Sequence, residues 1–141
     1  MYMFFSVMGA IGGVAGFISM VDLFLDIRNN RFLAVNEFLS GLDETDLIRA
    51  RAAVYCHEGA VSIDDKDMSM VVNYFHHWGI LAKKHYLPLW VFDEGAGAGA
   101  IRLYEKSKEY IDLCRKAHND DTYASGFVWL YKTLSKKNRQ K

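Results

Sequence analysis

The chain has 141 residues with 17 basic and 17 acidic side chains, so its formal charge is zero. That balance excludes a protein whose global basic field draws it to nucleic acid. Two cysteines, Cys56 and Cys114, are too few for a disulfide framework and fit a reducing compartment. A single proline, Pro88, argues against a loop-rich or all-β chain.

The first element is the uncharged run MFFSVMGAIGGVAGFISMV, Met3 to Val21. As a helix, roughly 20 residues at about 1.5 Å each span about 30 Å, the thickness of a bilayer's hydrocarbon core. Gly9 and Gly13, and Gly12 and Gly16, form two overlapping G-x-x-x-G pairs, which allow helix backbones to approach closely in lipid. Nothing basic precedes the run and no small-residue cleavage site ends it, so it reads as an uncleaved anchor. Arg28 and Arg31 follow it, which places the C-terminal part in the cytoplasm. A buried, glycine-rich core helix is the competing reading.

The helical stripe continues through Leu23, Ile27, Val35, Phe38 and Leu39 to a stop at Ser40-Gly41. A second helix starts at Asp43 to Asp46 and ends around Gly59. Ser62 or Asp64 then caps a third helix over residues 66–85, with Val71, Phe75, Trp78, Ala82 and His85 on one face. Pro88 suits the first turn of a fourth, carrying Trp90, Val91 and Phe92. GAGAGA at residues 95–100 is a hinge or a point of close helix packing; with no G-K-[ST] after it, it is not a phosphate loop. From Ile101 a stripe through Tyr104, Lys108, Ile111 and Cys114 runs to Asn119. Asp120 or Asp121 caps the last helix, with Tyr123, Phe127, Leu130 and Leu134 apolar.

The expected fold is therefore all-α: an N-terminal single transmembrane helix continuing into a four- or five-helix bundle. The expected divisions are an anchor at 1–27, a cytoplasmic bundle at 28–134 and a basic tail at 135–141. The last ten residues hold five cations and no acid, which suits anionic lipid, RNA or a solvated end.

Arg51 shares a helical face with Leu47, Ile48, Val54 and Tyr55, so its guanidinium needs a partner. Glu105 and Asp112 are the expected carboxylates of a structural ion pair. The alternative is chemical. Arg51 and His57 are similar in spacing to the Arg and His of higher-eukaryote-and-prokaryote nucleotide-binding (HEPN) domains, a class of helical RNases. That resemblance implies His57 as general acid or base and Arg51 as phosphate stabiliser. His76-His77, with His57, Cys56 or Cys114, has no metal-ligand spacing, so neither a metal nor another cofactor is expected.

Four segments carry a wider resemblance: ARAAVY at 50–55, VVNYFHHWGILAKKHYL at 71–87, IRLYEKSKEYIDLCRK at 101–116 and TYASGFVWLYKTL at 122–134. With the apolar N-terminus running into Arg28-x-x-Arg31, the chain resembles the bacterial helical domain of unknown function numbered 4760. In architecture it is also similar to small membrane accessory proteins of type VI-B CRISPR loci, divergent members of the HEPN class that assemble into membrane pores. The resemblance implies a single-pass protein of the bacterial cytoplasmic membrane that acts in antiphage defence. Its partners would be the lipid bilayer, copies of itself in a cyclic oligomer, and an RNA-guided nuclease or other defence protein. A plain module tethering a partner to the membrane is the third reading.

Overall fold

A computed structural model describes residues 2–93 and 98–140, with side chains from residue 19 onward. It is all-helical among the described residues, with five α-helices in the order α1 (Tyr2–Leu42), α2 (Thr45–Cys56), α3 (Lys66–Lys83), α4 (Ala100–His118) and α5 (Ser125–Asn138). A 3-10 turn, Leu89–Phe92, lies between α3 and α4. The chain divides into two compact units, Met1–Leu33 and Ala34–Lys141.

In the second unit α3 is the central helix. Met68, Val71, Val72, Phe75, Trp78, Gly79 and Ala82 are all buried, at the three- and four-residue steps that align side chains on one face. It packs against α5, α2 and α4. The last turns of α1 join the same core through Phe38, whose ring centre lies 5.4 Å from that of Trp78 and 4.9 Å from that of Phe92. Phe75 stacks on Phe127 at 5.1 Å, and Tyr104 stacks on Tyr131 at 4.2 Å.

Several boundaries differ from expectation for local reasons. The cap of α3 is Asp65, whose carboxylate accepts from the Met68 N–H at 2.9 Å; the Ser62 hydroxyl accepts from the Asp64 N–H at 3.2 Å instead of capping the helix. The helix ends at Lys83, because His85 adopts a left-handed conformation and the Tyr86 N–H turns back to the Leu81 carbonyl at 3.0 Å. This Schellman closure removes His85 from the buried face and exposes it. The segment after Pro88 is a short 3-10 turn, while α2 stops at Cys56 before Gly59.

At the start of α5, Asp120 does not cap the helix. Its carboxylate instead accepts from the backbone N–H and hydroxyl of Thr122, at 2.9 and 2.6 Å, closing a turn. Those bonds hold its carboxyl below the usual carboxylate range. The N-cap position of α5 is Ala124, itself in a left-handed conformation. The expected tail at 135–141 begins inside α5, and Lys137 is ion-paired with Asp93 beside the 3-10 turn. This contact orders the start of the basic stretch.

Candidate interaction surface

The described part of α1 before the second unit is conspicuous for what it exposes. Met20, Val21, Leu23, Phe24, Leu25, Ile27, Phe32 and Leu33 are all solvent-accessible, with Phe24 at 65% and Phe32 at 69%. They occupy most of the helix circumference, and the charged side chains among them are Asp22, Asp26, Arg28 and Arg31, all exposed. A monomeric soluble protein rarely leaves a contiguous apolar area of this kind uncovered. Among the described residues no helix is long and apolar enough to cross a membrane. The expected anchor at 3–21 falls mostly on residues whose side chains lie outside the described ones, as do Gly9, Gly12, Gly13 and Gly16.

The C-terminal turn of α1, within the second unit, is held by two side chains from other helices. The Arg51 Nη2 donates to the Leu42 carbonyl at 3.1 Å, and the Tyr74 hydroxyl donates to the Phe38 carbonyl. The Leu42 carbonyl is one of the under-bonded groups at the negative end of the helix, where a cation is favoured, while the Tyr74 bond adds a second tie one turn earlier. Burial pushes the Tyr74 phenol up from its ordinary pKa, Arg51 opposing and Glu44 adding to the shift. Tyr74 fits because position 41 is glycine: a Cβ there would stand 2.9 Å from its hydroxyl oxygen.

This geometry corrects the expected ion pair. Glu105 and Asp112 are exposed on the outer side of α4, whose buried face is Leu103, Tyr104, Ser107, Tyr110, Ile111 and Cys114. Neither carboxylate bonds to Arg51, because both point to solvent rather than into the bundle. Arg51 is itself only half-buried, and Ile48, expected on its apolar face, is 47% exposed.

Arg51 and His57 are not brought together by any hydrogen bond. His57 forms the C-cap of α2, its backbone N–H on the Val54 carbonyl at 3.3 Å, with its Nε2 buried. Tyr55 turns the other way, donating to the Gly99 carbonyl at 3.3 Å beneath the Arg102 guanidinium, 5.2 Å from its ring centre. The adjacent histidines separate as their spacing on a helix requires, His76 half-buried and His77 exposed. No group of three or more His, Cys, Asp or Glu among the described residues could hold a metal ion. Both cysteines are free, Cys56 exposed and Cys114 buried.

One polar contact had no signal in the sequence. The His76 Nδ1 accepts the Gly126 N–H at 3.0 Å, so a side chain of α3 caps the first turn of α5. Burial, with His77 beside it, lowers the His76 pKa and keeps the ring in the neutral form that this bond needs. The helices meet here backbone to backbone. A Cβ on Gly79 would lie 2.3 Å from the Gly126 carbonyl oxygen, and one on Gly126 would lie 2.2 Å from the His76 oxygen.

Compared with known family models, with curated proteins and with solved structures, the chain matches none.

Proposed function

We propose that this chain is a membrane-anchored helical protein that assembles with copies of itself and acts at the bilayer. The observation that carries the reading is the exposure of eight large apolar side chains between Met20 and Leu33. Such an area gains stability only when something removes it from water, at about 25 cal/mol per Å² of apolar surface buried. The uncharged sequence from Met3 to Val21 leads directly into this exposed segment, which makes lipid the natural cover for the first part of α1. Arg28 and Arg31 then lie at the cytoplasmic headgroups. The second unit supplies a cytoplasmic bundle for a partner. In a bacterium this arrangement suits an accessory or effector of antiphage defence that acts on the cytoplasmic membrane, with a multimeric pore as its extreme form.

Carbonate-washed membranes test the anchor. The full chain should remain in the pellet and come out with detergent as an oligomer. Recovery as a soluble monomer without detergent would sink the reading. Expressed beside an RNA-guided nuclease, the protein should lower phage plating, and removal of residues 3–21 should abolish that effect while leaving the bundle folded.

A further inference from the structure

On α1 the two signs of charge are segregated. Asp22 and Asp26 are four residues apart and so share a face, and Arg28 and Arg31, three apart, share another. At about 100° per residue, Asp22 and Arg31 lie on opposite sides of the helix, and Asp26 and Arg28 nearly so. Each pair is repulsive within itself, since like charges at these spacings destabilise a helix. The two pairs cannot neutralise one another within a single helix, and none of the four side chains makes an ion pair among the described residues. Apolar groups accompany both faces: Phe24 and Ile27 lie with the arginines, Leu25 and Leu33 towards the acids, all exposed.

We propose that this segment is a two-sided docking surface for parallel neighbouring copies of the same chain. The acidic face of one copy meets the arginine face of the next. The inference rests on the self-assembly reading and gives it a polarity. A contact between two different faces is heterologous, so it continues from copy to copy and generates a ring if the rotation closes. Opposite faces suit a wide ring or an open row rather than a two-fold dimer, which would set acid against acid.

The centres of the two charged pairs differ by about 8 Å along the axis, at about 1.5 Å per residue. Helical side chains lean towards the N-terminus, and arginine is much longer than aspartate, so the arginines reach back towards the acids of an unstaggered neighbour. Phe24 and Ile27 of one copy then cover Leu25 and Leu33 of the next. The apolar contact supplies affinity, while the charges select parallel orientation and register.

Charge reversal in the full-length protein in detergent, read by mass photometry, tests this. Asp22→Arg with Asp26→Arg should give monomers, and so should Arg28→Asp with Arg31→Asp. An equimolar mixture of the two double variants should regain the oligomer, with both chains in it, because a twice-basic surface then meets a twice-acidic one. The chain carrying all four changes should assemble like wild type.

Unchanged oligomers in both double variants would overturn the docking surface while leaving self-assembly standing. Monomeric wild type, in detergent and in vesicles, would overturn both. Loss of assembly without recovery in the mixture would show that the charges serve another purpose, and would also overturn the proposal. Normal assembly of the aspartate variant, with the arginine variant merely leaving the membrane, would assign Arg28 and Arg31 to lipid phosphates instead.

Discussion

Phe24 and Phe32, in the first unit, are 65% and 69% exposed, whereas Phe75 and Phe127, in the second, are fully buried and stack on each other. All four are phenylalanines on helices, so propensity and composition do not separate them. What separates them is whether other segments arrive to cover them. Phe75 has α5 against it and the aromatic ring of Tyr74 beside it. In the second unit apolar surface is spent on folding; in the described part of the first it stays available for association.

The sharpest way to break this comparison is a pair of truncations. Phe75→Ala should cost about 3–5 kcal/mol in chemical unfolding of the bundle, through lost burial and a cavity. Phe24→Ala should change that stability by no more than about 0.5 kcal/mol, while weakening retention in washed membranes. Equal losses in the two variants would mean that both phenylalanines belong to one core.

Within the second unit, Arg51 gives a smaller effect. From a half-buried position it donates to the Leu42 carbonyl at the end of α1, and Arg51→Ala, which removes that bond, should lower stability by about 1.5–3 kcal/mol, the range of a hydrogen bond with a charged partner. A loss of about 3–5 kcal/mol would instead indicate a desolvated ion pair.

The smallest effect expected is confined to the second unit and depends on pH. His76 binds a proton less readily folded than unfolded, where its pKa is about 6.5. The unfolded chain therefore takes up the proton first as the solution is acidified. The stability held by the His76–Gly126 contact is complete above about pH 6.5 and falls as the pH drops towards the lower folded-state value. Urea unfolding at pH 8 and pH 5.5 measures the fall. His76→Asn, which retains an acceptor that does not titrate, should show a smaller decrease than wild type; an equal decrease would place the titration elsewhere.

The helices themselves were readable because burial repeats at helical steps, as Val71, Phe75, Trp78 and Ala82 illustrate. Face assignment was harder on α4, where aromatic and aliphatic residues lie on several sides. Tyr104, Ile111 and Cys114 of the expected stripe are buried, but Lys108 is exposed, and the small hydroxyl residue Ser107 is buried instead. Glu105 and Asp112 were misassigned for the same reason, since rotating the buried face turns both towards water. The cap of α3 falls on Asp65 rather than on the expected Ser62 or Asp64, because among neighbouring residues able to cap only backbone geometry selects one. The clamp of Arg51 and Tyr74 on α1 and the His76 cap on α5 join segments far apart in sequence, and no local pattern encodes them. Of the candidate interaction surface, the charges and apolar residues were visible from the start, but not that they remain exposed.

The backbone contact between α3 and α5 sets what evolution can change. A core phenylalanine can be exchanged for another large apolar residue with repacking, so aromatic identities can drift between relatives. Gly79 and Gly126 have no such latitude, because each would place its first side-chain carbon within 2.3 Å of the opposite backbone. Any other residue at either position must force the helices apart. Distant relatives sharing this bundle should therefore be recognised by two glycines and the histidine three positions before the first, in a sequence whose apolar residues have otherwise been reshuffled.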